Sequence, residues 1–151
     1  MQASHAVTVA CSPAQFMRVI WDFESYPEFL PRMRRARIAL QDGDQVEVDF
    51  RLSFVRQLDY TLRLQRQPLL LSWTLVRGFF RQNEGSWTLQ PVEGGVLATY
   101  RIQLQPNGYV PRAVLNSLLR HELPQTLAQF KARAELLTSA DLLGGSAPGD
   151  G

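Results

Sequence analysis

Few side chains in this sequence have the type and spacing that chemistry requires, and the best pair is His121 and Glu122. An imidazole beside a carboxylate can move protons near neutral pH when both groups face a substrate. Glu122 follows Leu118 by four residues and Leu115 by seven, which sets it on the apolar stripe of a helix with a long carboxylate directed at the interior. A solvated place at the edge of that stripe, or pairing with an arginine, is the plainer alternative. His121 flanks the stripe and is expected to be exposed, and His5 is expected at a mobile terminus. Tyr60, Trp73, Trp87 and Tyr100 have the inward parity of strands, and buried tyrosine or tryptophan must place a polar atom. Of Arg51, Arg77 and Arg101, strand parity leaves Arg77 to orient an oxygen-bearing head group. No Ser-His-Asp order, metal-ligand spacing or glycine-rich phosphate loop stands out, so no catalytic residue, metal ligand or cofactor is assigned.

The elements that would position these groups follow from periodicity. Val7 and Val9 alternate with small or hydroxylic residues, a short strand. Ser12, Pro13 and Gln15 form an N-cap, a first-turn proline and a capping box, and Phe16, Val19, Ile20 and Phe23 give the helix one apolar stripe. The segment Ser25-Tyr26-Pro27-Glu28-Phe29-Leu30-Pro31 then sets two prolines among large apolar side chains. Tyr26 and Leu30 each precede a proline and are biased to extended geometry, so a loop over a core or over a cavity mouth is expected.

From about Met33 to Pro106 the period is two. Val46, Val48, Phe50, Leu52 and Phe54 form one inward set, and Leu58, Tyr60, Leu62 and Leu64 the next. The connection near Val55 to Gln57 lacks glycine or asparagine and marks no clear boundary. Further strands are expected over Leu69 to Val76, Glu84 to Pro91 and Val96 to Leu104, the last two joined at Gly94-Gly95. Pro111 opens a long helical pattern through Leu118, Leu119, Leu123, Leu127, Phe130 and Ala134, with Pro124 expected to kink it. One domain is expected over residues 1–138, with a disordered tail over residues 139–151.

The chain has 151 residues, of which 45% are hydrophobic and 20% charged, the profile of one globular domain with a substantial core. No apolar run approaches the roughly 20 residues of a membrane span, and the N-terminus lacks the regions of a signal peptide, so a soluble, cytoplasmic protein is expected. A lone Cys11 allows no internal disulfide and fits a reducing compartment. The formal charge of +2 argues against nucleic acid as a partner. Arg32, Arg34, Arg35 and Arg37 lie in a strand where neighbours point to opposite faces, a solvated face rather than one continuous stripe.

The order of strand, capped helix, Tyr-Pro turn, strand meander and long C-terminal helix resembles the START-like (SRPBCC, helix-grip) superfamily, in its coenzyme Q-binding and polyketide cyclase/dehydrase branch. The matching residues are Asp22, Tyr26, Pro27, Phe29, Leu30 and Pro31, then Gly78-Phe79-Phe80-Arg81, Gly85, Trp87, Leu89, Pro91 and Tyr100. Pro111 and the helix from Val114 through Leu123, Leu127, Phe130 and Glu135 complete the match. The resemblance implies an α+β helix-grip fold in which a curved antiparallel sheet of about six or seven strands wraps the C-terminal helix. It also implies a hydrophobic pocket between sheet and helix, gated by the loops at Tyr26 to Pro31 and Gly78 to Arg81.

Function does not follow from fold alone. The inward face is apolar and aromatic with almost no ionisable groups, which favours a binding or carrier protein for a quinone, polyprenyl chain, lipid or aromatic polyketide over an enzyme. Tyr26, Phe29, Leu30, Tyr60, Trp73, Arg77, Phe79, Trp87, Tyr100, Leu118, Glu122 and Phe130 are the expected ligand contacts. An aromatase/cyclase is the alternative, with Tyr60, Arg77, Tyr100 and Glu122 as its polar groups. A ribosome- or protein-surface binder, resting on Phe79-Phe80 and the Arg32 to Arg37 cluster, is a third reading. Phe79 and Phe80, flanked by Arg77 and Arg81, would also suit a transient membrane contact. Oligomeric state cannot be read from the sequence.

Overall fold

A computed structural model describes residues 1–144. Seven strands form one antiparallel sheet: β1 (Gln2–Val9), β2 (Met33–Asp42), β3 (Gln45–Phe54), β4 (Arg56–Gln67), β5 (Leu70–Gly78), β6 (Phe80–Val92) and β7 (Gly95–Pro106). The spatial order is β1-β7-β6-β5-β4-β3-β2, a meander that the first strand extends by pairing with the last. Helix α1 (Pro13–Trp21) follows β1. Its start is as the sequence requires: Gln15 N–H donates to Ser12 Oγ, and Ser12 N–H donates to Gln15 Oε1.

The Tyr-Pro segment is not an extended loop. Phe23–Glu28 is a 3-10 turn with Pro27 inside it. The backbone bonds run from Ser25 N–H to Asp22 and from Phe29 and Leu30 N–H to Tyr26, so none needs the hydrogen that Pro27 lacks. Strand pairing moves two other boundaries. β6 begins at Phe80 rather than Glu84, and the β3–β4 connection is a single residue, Val55, held at φ 63° between the paired Phe54 and Arg56.

The C-terminal helix has three parts: α2 (Arg112–Ser117), a π-helical turn (Leu118–Glu122) and α3 (Leu123–Gly144). The expected kink at Pro124 takes this form because the turn before the proline widens, with Leu123 N–H reaching back to Leu118 O. α3 continues to Gly144, past the boundary expected at residue 138, and residues 145–151 lie outside the described part. Sheet and helix close on one core, with Phe16, Ile20, Phe23, Val48, Val96 and Ala98 fully enclosed.

Candidate functional site: an aromatic cavity under the helix

The concave sheet face and the C-terminal helix enclose a cavity of about 180 Å³. Its floor is aromatic because alternate residues of neighbouring strands stand on the same face. Phe50 on β3 stacks on Tyr60 on β4, and Tyr60 meets the Phe80 ring edge-on at 5.2 Å. Trp73 and Trp87 both contact Tyr100, at 5.3 and 5.0 Å between ring centroids. The roof comes from Leu118, Leu119, Glu122, Leu123, Thr126 and Phe130, which span the π turn and the first two turns of α3.

The polar atoms in this space are few and their partners differ. Trp73 and Asn83 are both buried, and the indole N–H donates to Asn83 Oδ1 at 3.1 Å. That bond spans the place where β5 and β6 part, since their ladder runs only from Leu70–Thr88 to Trp73–Gly85. Thr126 Oγ1 donates to the Glu122 carbonyl, and the Tyr26 hydroxyl donates to the Ile20 carbonyl. Among the described residues Tyr60 and Tyr100 have no such bond. Burial alone drives the Tyr60 hydroxyl well above the ordinary phenol range, and burial with the nearby Tyr60 does the same to Tyr100. Both are therefore neutral hydrogen-bond donors at physiological pH in the lining of an apolar space.

At the rim stands the one ion pair of the lining, Arg32 Nε to Glu122 Oε2 at 2.6 Å. The Arg32 guanidinium also lies 5.6 Å from the Phe54 ring centre. Glu122 thus faces the cavity as its place on the stripe required, and it is paired with an arginine there.

Most of the expected contacts come together: Tyr26, Leu30, Tyr60, Trp73, Trp87, Tyr100, Leu118, Glu122 and Phe130 all line the cavity. Three do not. Arg77 points to the outer face, with Nη2 3.8 Å from Asp49 Oδ1, because a β-bulge shifts the register between Thr61↔Arg77 and Leu62↔Leu75 and inverts its parity. Phe29 lies behind Phe130, the two rings edge-on at 5.2 Å, with the Arg133 guanidinium over the Phe29 ring. Phe79 packs under Arg56 in a separate groove, and Phe80 takes the inward position. Tyr26 is a wall fixed by its hydrogen bond and by Phe130 and Phe50 rather than part of a movable gate.

Sequence reasoning missed Arg32, Phe50, Phe54, Phe80, Asn83 and Thr126. Phe50 and Phe54 carried the inward parity that would have found them. His121 is exposed as expected, whereas His5 is in β1 with its ring against the helix rather than at a loose end.

A seven-stranded sheet gripping a C-terminal helix over a cavity defines a helix-grip, START-like α+β domain. The chain belongs to the family described as polyketide cyclase / dehydrase and lipid transport, which matches residues 9–131. Solved structures with this fold include the Zhui aromatase/cyclase from Streptomyces sp. R1128, at 15% identity and a TM-score of 0.77 over 89% of this chain and 93% of that one. A START superfamily protein from Mycobacterium smegmatis is similar at 20% identity and a TM-score of 0.77, covering 90% and 98% of the two chains. A STAR-related lipid transfer protein from Xanthomonas axonopodis is similar at 16% identity and a TM-score of 0.76, covering 87% and 84%. No curated protein sequence matches the chain.

Proposed function

We propose that this protein binds and carries a hydrophobic small molecule that bears an oxygen on a ring or near one end. The observation that carries this reading is the aromatic cavity lined by the Tyr60 and Tyr100 hydroxyls, which bond no described protein group. A donor held in apolar surroundings rewards a ligand with a carbonyl or ether oxygen and penalises one without it. Volume limits how much of the ligand enters. A cavity of about 150 Å³ holds one benzene ring, so about 180 Å³ admits one ring or a short chain, and a longer polyprenyl, acyl or polyketide tail would leave through the rim at Arg32 and Glu122.

Organic extraction of the protein purified from its own host, followed by mass spectrometry, tests this. An oxygenated apolar molecule at near one-to-one stoichiometry is expected. Extracts without any such molecule, together with no affinity for quinone or lipid probes, would overturn it.

The second reading is an aromatase/cyclase, favoured by the same two phenols, which could polarise a ketone during ring closure. Its weakness is the base: Glu122 is the only carboxylate of the lining and is held by Arg32. Incubation with a linear poly-β-keto thioester decides, since ring closure above the buffer rate would establish this reading and its absence would leave the carrier. A surface-binding role loses support, because Phe80 is buried and Arg32 and Arg37 are paired with Glu122 and Asp49.

A further inference from the structure

We propose that the groove beside the cavity docks the protein on an anionic lipid surface. Going beyond the carrier reading, the inference rests on a different part of the molecule. Three turns converge there: the single-residue turn at Val55, the turn at Gly78-Phe79, and the loop 107–111, which Asn107 N–H ties to the Phe79 carbonyl. The groove measures about 210 Å³ and shares Phe54, Phe80 and Leu118 with the cavity wall.

Its outer edge carries the two most exposed large apolar side chains among the described residues, Val55 at 81% and Tyr109 at 91%. Val55 is also the only described non-glycine residue at positive φ, a conformation that opposes its branched side chain. A strained valine that packs on almost nothing contributes little to the fold, and strain kept at an exposed tip points to a use outside it.

Charge selects the partner. Segments 53–58, 76–83 and 107–121 contain no aspartate or glutamate, and besides Arg77, which Asp49 holds on the outer face, they carry Arg56, Arg81, Arg112 and Arg120. Of the acids that flank these segments, Asp59 is paired with Arg51 and Glu122 with Arg32, and Glu84 accepts a hydrogen bond from the Gln82 amide. The Arg56 guanidinium lies 4.6 Å from the Phe79 ring centre, setting cation and apolar surface side by side. Apolar tips beside Arg56, in segments that carry further arginines, match the order of a bilayer, with acyl chains beneath phosphates. A second copy of this face would meet it with like charge, and an acidic protein would satisfy the arginines while giving Val55 and Tyr109 nothing apolar. No described helix is long and apolar enough to cross a membrane, so the contact is peripheral.

Sedimentation with phosphatidylcholine vesicles containing phosphatidylglycerol, against phosphatidylcholine alone, tests the docking. Binding to the anionic vesicles that weakens with salt is expected. Replacing Arg56 and Arg112 together with Gln should weaken it by roughly tenfold or more. Val55→Asn is the decisive variant, because asparagine tolerates the left-handed conformation. It should raise the unfolding midpoint and lower vesicle binding, with uptake of an apolar dye by the cavity unchanged. No binding to anionic vesicles, unchanged binding by Val55→Asn and Tyr109→Asp, or self-association through this face in native mass spectrometry would each overturn the proposal. Vesicle binding is read without cargo, so its failure is distinct from a failure of the carrier reading.

Discussion

His5 Nε2 lies 3.3 Å from the carbonyl oxygen of Leu119, on the opposite side of the fold in sequence but directly under the π turn in space. In that register Leu119 O would accept from residue 124, and residue 124 is a proline without an N–H. The His5 ring supplies the missing donor, which requires the hydrogen on Nε2. His5→Ala should therefore cost about 1 kcal/mol in urea unfolding. In a Pro124→Ala background, where the backbone can supply the donor itself, the same change should cost clearly less. A double-mutant cycle reads the difference, and equal costs in both backgrounds would refute the pairing.

Tyr60 and Tyr100 support a different expectation. Their hydroxyls bond no described protein group, so Tyr60→Phe and Tyr100→Phe should leave the fold as stable as before or slightly more so. Affinity for an oxygenated ligand should fall about tenfold, or about 1.4 kcal/mol, with little change for a pure hydrocarbon probe. The raised phenol values also set the sign at high pH. The folded state holds these protons above the usual value of about 10, so the stability they contribute is complete below it and declines as pH rises toward their folded values. Alkaline unfolding of the wild type should shift to higher pH in the double Phe variant.

The Arg32–Glu122 pair closes the rim without bearing much of the fold. Arg32 is half exposed, and such pairs are worth about 0–1 kcal/mol. Glu122→Gln should accordingly change unfolding little while speeding release of a fluorescent apolar ligand in stopped-flow measurements. Unchanged release would mean that the ligand leaves elsewhere.

These residues also mark where the sequence was legible. The alternation of Phe50, Tyr60 and Leu62 with polar neighbours, and the Ser12-Pro13-Gln15 cap, are local patterns with one physical solution, and the strands and helix they implied are present. Arg77 was misplaced because a bulge inverts parity and no residue type announces a bulge at Val76. His5 was misjudged because the need for its ring arises from a proline more than a hundred positions away. The Arg32–Glu122 contact likewise joins the first residue after a proline turn to a helix, a pairing no periodicity encodes.

Gly85 tests whether the cavity is built or incidental. A methyl group there would stand 2.6 Å from Cζ2 of Trp73 and would also press on the Arg101 carbonyl across the β6–β7 ladder. The Arg101 carbonyl is the nearer of the two, so the β6–β7 ladder must open there and the Trp73 ring must move as well, taking its indole N–H from Asn83. Gly85→Ala should cost about 1–3 kcal/mol, the usual penalty of overpacking. It should also red-shift or quench the Trp73 emission and weaken ligand binding more than any rim substitution. Leucine at Trp73 in the Gly85→Ala background should recover part of the stability by removing the clash with the ring, while that with the Arg101 carbonyl stays, and should not recover the binding. Recovery of both would show that the Trp73 to Tyr100 wall is not part of the ligand site.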